Sequence, residues 1–154
     1  TLQKIVQNNL EKIGGYIYDS EEKIFAEKIA KSLDITLDTK FVNGIKAYTN
    51  DDDAGGSTDV GDVSFTVPTV GLETATWVPG TPAHSWQAVA AGGTSIGIKG
   101  MLIAAKTIAL TGMELLDNPK ILSLAKKEFI KRRGTDFKYI PLLGDREPAL
   151  NYRN

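Results

Sequence analysis

The chain has no cysteine, and among its 154 residues it has one histidine, two methionines and two tryptophans. Without thiols there can be no disulfide framework, no thiolate metal site and no cysteine nucleophile, and a cytoplasmic protein is favoured. A single imidazole limits any metal or proton-transfer chemistry to one histidine donor. Neither sign of charge is in excess, since 18 Lys/Arg face 19 Asp/Glu for a net charge of −1. That balance is unlike a generally basic nucleic-acid binder, and no nucleic-acid partner is expected. Long apolar runs are missing as well. Residues 101–116 are interrupted by Lys106, Gly112 and Glu114, short of the roughly 20 apolar residues of a spanning helix, so no membrane partner is expected. The first residue is Thr and the amino end mixes charges into its apolar pattern, which reads as a start in mid-protein or after processing.

What is present suits one globular domain: 42% hydrophobic and 24% charged residues in 16.7 kDa. Charge is segregated along the chain. Residues 1–77 carry 7 Lys/Arg against 13 Asp/Glu, and residues 78–154 carry 11 against 6. The cluster Lys126, Lys127, Lys131, Arg132 and Arg133 sits where cations favour a helix end, so it reads as a solvated helix face before an anion site.

Apolar spacing predicts four helices. Leu2, Ile5, Val6, Leu10 and Ile13 recur at threes and fours up to Gly14-Gly15. A second helix starts at Asp19 or Ser20, with Phe25, Ile29 and Leu33 as its stripe and Asp34 at its end. A third follows Gly92-Gly93-Thr94 and runs to about Leu116, with Ile98, Met101, Leu102, Ala105, Ile108, Ala109, Met113 and Leu116 expected to face the core. A fourth starts at Asn118-Pro119, buries Ile121, Leu122, Ala125 and Phe129, and stops at Gly134. Between them, residues 62–68 alternate Val63, Phe65 and Val67 with Ser64 and Thr66, the period of a strand. Residues 70–77 are β-branched and aromatic enough for a second strand. Residues 50–56, NDDDAGG, read as a turn, and the tail from Thr135 as coil or a short strand. The expected class is therefore α/β, a small sheet covered by helices.

Chemistry concentrates around His84 in the loop Pro79-Gly80-Thr81-Pro82-Ala83-His84-Ser85-Trp86, because loops at strand ends present functional groups. On the residues alone, an ordinary packed or surface histidine outweighs a ligand or a catalytic base. Trp77 and Trp86 flank this loop and are able to line a cleft. Residues 55–62, GGSTDVGD, offer amides and two carboxylates but also read as a plain turn. Ser57, Ser64 and Ser85 are not in a nucleophile elbow. Residues 91–95, AGGTS, lack the Walker lysine and the dinucleotide spacing.

The run GSTDVGDVSFTVPTVGLETATWVPGTPAHSWQ, residues 56–87, resembles the carboxyl-terminal part of the aminoacylase/carboxypeptidase family of two-metal amidohydrolases. Within that family it is most similar to the B-subunit type of p-aminobenzoyl-glutamate hydrolase. The most specific piece is GTPAHSW, whose His84 matches the late metal-binding histidine of the family. The resemblance implies a zinc-peptidase-like α/β/α catalytic domain, of which residues 1–154 would be the carboxyl-terminal half and residues 1–13 the return helix from a lid and dimerisation domain. It implies two ions, zinc or alternatively manganese or cobalt, and a small-molecule amide substrate such as an N-acyl amino acid. It also implies a homo- or hetero-oligomer, with the missing catalytic half and lid as partners. Thr58, Asp59 and Trp86 would lie on the substrate side or behind the ligand. The family's commoner Glu-Asp is Thr-Asp here, so Asp59 is expected to orient His84 rather than bind metal. A catalytic zinc takes three protein ligands, so such a fragment would be inactive alone. The competing reading is a complete small α/β binding or interaction module without catalysis.

Overall fold

A computed structural model describes residues 1–48 and 58–151. Its elements are α1 Leu2–Ile13, α2 Ser20–Ser32, α3 Lys40–Asn43, α4 Val60–Thr66, α5 Trp86–Gly92, α6 Ser95–Asp117 and α7 Pro119–Arg133. Among the described residues there is no strand, and the expected sheet covered by helices is not formed. The acidic turn at residues 50–56 and Ser57 lie outside the described residues.

The helix ends follow local chemistry. Asp19 accepts hydrogen bonds from the Glu21 and Glu22 amides, and the Glu22 side chain accepts from the Asp19 amide, completing a capping box. Pro119 opens α7 after Asn118, where its missing N–H costs nothing. Gly14 and Gly134, at φ 79° and 94°, end α1 and α7 in a region that L side chains avoid. The seven-residue α5 escapes the sequence pattern because it is too short for an apolar stripe to repeat, although Ser85 caps it by accepting from the Ala88 amide.

The strand expected at residues 62–68 is largely helix α4. Alternation of Val63, Phe65 and Val67 needs a ladder partner before it favours a strand, and the described chain supplies none. Val60, Val63 and Val67 are also three and four apart, a spacing that serves a helix equally well. α4 buries no residue. It is held by the tail and the end of α7: Phe65 stacks on Phe137 at 5.2 Å, Tyr139 donates to Asp62 at 2.7 Å, and Arg133, the last residue of α7, donates to the Phe65 carbonyl at 3.1 Å. Residues 70–77 are irregular. Side chains pin them where a sheet would have: Tyr16 donates to the Ala75 carbonyl at 2.7 Å, and Thr74 donates to the Gly100 carbonyl at 3.0 Å.

The core joins Tyr18, Ala26, Ile29, Val42, Val78, Ala91 and Ile96. α6 packs on α1, α5 and α7, and it does so through its small side. Ile96, Gly97, Gly100, Thr107 and Thr111 are buried. α1 runs antiparallel along this side: Asn9 donates to Thr111 and Glu114, while Tyr16, just beyond the helix, reaches Ile96. The face expected to be buried is the outer one, where Ile98, Met101, Leu102, Ile108, Met113 and Leu116 are exposed. An all-round apolar helix carries no moment strong enough to choose a face, and close backbone approach chose the glycine side. In length and composition α6 also meets the requirement for a membrane-crossing helix, despite the interruptions at Lys106, Gly112 and Glu114.

One buried carboxylate fastens the start of α2 to the start of α6. Glu22, only 3% exposed, accepts from Ser95 at 2.6 Å and Lys99 at 2.7 Å in addition to the Asp19 amide. Burial opposes its charge, but the hydrogen bonds from Lys99, Ser95 and the Asp19 amide outweigh that and hold its pKa below the ordinary 4.5. Burial pushes the neighbouring Tyr18 phenol up to about 12.

Two outcomes are expected in urea unfolding. A Cβ on Gly100 would collide with the Ala75 carbonyl and the Thr76 methyl, so Gly100→Ala should destabilise the chain by about 1–2 kcal/mol. A collision with backbone puts the overpacking cost in the upper part of its range, roughly 2–3 kcal/mol, which exceeds the gain of about 1 kcal/mol in helix propensity. Glu22→Gln should cost about 1–3 kcal/mol at neutral pH. Because the folded pKa is depressed, the Glu22 contribution is complete above pH 4.5 and fades as pH falls through the lowered value, so wild type and variant should converge in acid.

Candidate functional site

The core sets the position of the His84 loop. Val78 is buried in it, and Tyr16 holds Ala75 just upstream. From Val78 the chain turns at once: Thr81 donates its amide to the Val78 carbonyl at 3.1 Å, and Gly80 sits at φ 83°. Ser85 then closes the loop twice. Its hydroxyl donates to the Pro82 carbonyl at 2.7 Å and accepts from the Ala88 amide at 3.2 Å.

Between these anchors His84 is held at φ 59°, one of two described non-glycine residues with positive φ. Left-handed backbone is costly for an L residue, and a histidine kept there is over-determined by its surroundings. Its side chain is exposed, and its imidazole makes no hydrogen bond among the described residues. It lines an open depression of about 680 Å³ together with Trp77, Ser85, Trp86, Ala88 and Val89.

The structure thus brings together His84, Trp86 and Trp77, three of the residues read from the sequence. Thr58 and Asp59 lie elsewhere, before α4. Thr58 accepts from the Val60 amide at 3.3 Å, and the exposed Asp59 carboxylate makes no hydrogen bond to His84 or to any other described residue. Ala88 and Val89 were not among the candidates. They reach the depression because α5 turns them toward it, and the only signal in the sequence was a serine placed to cap.

A metal does not fit the described residues alone. Among them no three His, Asp or Glu side chains come close enough to hold an ion. The loop supplies one donor, and a catalytic zinc needs three. What the arrangement does supply is one fixed imidazole beside apolar aromatic walls.

The loop geometry depends on the Ser85 hydroxyl. Ser85→Ala should remove both of its hydrogen bonds and cost about 1 kcal/mol of unfolding free energy. It should also broaden the NMR signals of the His84 ring, whereas Ser85→Thr should restore both.

Among known proteins, the chain is 30% identical over 167 aligned residues to the B-subunit of p-aminobenzoyl-glutamate hydrolase from Escherichia coli (strain K12). The match covers 92% of this chain and 35% of that protein, so the chain spans about a third of the relative's length. No family model matches, and no solved structure matches. The likeness read from residues 56–87 therefore extends over nearly the whole chain, which is similar to one part of a hydrolase subunit.

Proposed function

We propose that the chain is one part of a metal-dependent amidohydrolase that cleaves an N-acyl amino acid or a p-aminobenzoyl-glutamate-like substrate, with His84 as one of its metal ligands. The observation that carries the reading is the imidazole itself: held in left-handed backbone, exposed and free of hydrogen bonds, in the GTPAHSW loop of a chain similar to a hydrolase subunit.

The remaining ligands and the general base belong, in this proposal, to an upstream catalytic half absent from this sequence, and residues 1–13 form the return from a lid domain. Two ions are proposed, zinc or alternatively manganese or cobalt, since imidazole and carboxylate donors accept all three. When bound, they would polarise the substrate carbonyl and acidify water. This chain's own part is to fix one imidazole at the edge of the depression, with Thr58 and Asp59 on the substrate side of the assembled site. The relative is named as a subunit, which supports an assembly of several chains.

In the longer polypeptide carrying this sequence, His84→Ala should slow release of p-aminobenzoate from p-aminobenzoyl-glutamate severely. The loss should exceed the roughly 10–100-fold cost of losing a ligand's supporting partner. The 154-residue chain alone should show no hydrolysis with added zinc. Full activity of the variant would select a non-catalytic role for this chain.

A further inference from the structure

The outer side of α6 is built like one half of a helix pair. Ile98, Leu102, Ala105, Ala109, Gly112 and Leu116 follow one another at intervals of four, three, four, three and four, the spacing that keeps one seam turned toward a partner helix. All but Gly112 are exposed, and at Gly112 an added Cβ would meet no atom within 4 Å. No seam position is polar, while Lys106 and Glu114 fall outside it. With Met101, Ile108 and Met113 beside it, the face presents on the order of 700 Å² of apolar surface. That exceeds the roughly 300–600 Å² of the largest patch on a typical monomer and approaches the roughly 800 Å² each partner gives to a stable interface.

The order of side-chain sizes along the seam identifies its partner, because it is balanced about Thr107. Ile98 and Leu116 lie equally far from that residue, as do Leu102 and Gly112, and Ala105 and Ala109. Two copies laid antiparallel about a two-fold axis there set Ile98 against Leu116 at each end and alanines against each other at the centre. Leu102 of each copy then covers the space left open at Gly112 of the other. Small central residues let the two backbones approach closely, and opposed helix dipoles add a modest attraction. A bilayer suits α6 less well. Its other side is tied to α1 through Asn9, Thr111 and Glu114, and its first turns carry the Lys99–Glu22 ion pair, polar groups that lipid would not tolerate. We infer that α6 pairs with α6 of a second copy of this chain, antiparallel and two-fold symmetric, through the seam from Ile98 to Leu116. The inference does not depend on the amide-cleaving reading.

Sedimentation equilibrium of the 154-residue chain should show monomer and dimer exchanging with a micromolar Kd, and no larger species. Gly112→Leu separates this seam from general stickiness. The new side chain has room in the monomer, so helicity by circular dichroism should be kept, yet it meets Leu102 at two symmetric places and should weaken the dimer at least about 10-fold. Adding Leu102→Ala should recover most of that loss. Because the chain has no cysteine, introduced thiols report the pairing directly. A thiol cross-linker spanning about 8–10 Å, the usual separation of packed helix axes, should join Ile98→Cys chains to Leu116→Cys chains in a mixture. Leu116→Cys alone should not be joined, since its two thiols would stand about 27 Å apart. A monomer at every concentration, open-ended aggregation, tighter association of Gly112→Leu, or cross-linking of Leu116→Cys to itself would each overturn the pairing. Uptake by phosphatidylcholine vesicles in place of dimerisation would give the face to a lipid surface and overturn it too. In the longer polypeptide carrying this sequence the same cross-link between residues 98 and 116 should form, and its absence would assign the face to another part of that polypeptide instead.

Discussion

The fold depends on a single buried carboxylate at the meeting of two helix starts. Glu22 completes the cap of α2 and takes hydrogen bonds from Ser95 and Lys99 in the first turns of α6. Each bond alone is modest, but a buried carboxylate stripped of them would be far more costly than their sum suggests. This junction sets where α6 begins relative to α2, and so where Ile96 enters the core. Tyr16 lies on the same junction, beneath the Lys99 ammonium at 5.9 Å, and spans from Ile96 to Ala75. From Ala75 the constraint passes through buried Val78 to the Gly80 turn and on to His84. The geometry of the candidate site is thereby tied to a carboxylate on another helix.

α6 shows a second constraint at work. Its glycine and threonine side admits α1 and the residue 74–76 segment closely, while the larger aliphatic side chains stay outside. Packing density rewards close backbone approach where small residues allow it. The result is a helix whose greasiest face is exposed.

The site unites a strained backbone, an uncommitted imidazole and two open indoles within a dozen residues. None of these three is required for the core, which is complete with Val78 and Ala91 at its border with the loop. Features that cost stability and contribute nothing to packing are where function is to be sought. The loop geometry singles out His84 among the described residues, in a chain similar to one part of a hydrolase subunit.

The sequence by itself determined the ends and extents of the long helices. Asp19 with Glu22, Asn118 with Pro119, and the stops at Gly14 and Gly134 act through neighbours in the chain, so their chemistry is visible without tertiary contacts. It also marked His84 and the two tryptophans, because a lone imidazole in a proline- and glycine-rich turn is conspicuous. Tertiary structure decided which side of α6 is buried, since an all-round apolar pattern is degenerate until neighbours arrive. It decided too that residues 62–68 are largely helical and residues 70–77 unpaired, because alternation specifies a strand only where another strand offers its hydrogen bonds. The distance between Asp59 and His84 in the fold is likewise a tertiary matter: residues a short stretch apart in sequence meet only if the elements between them bring them back together.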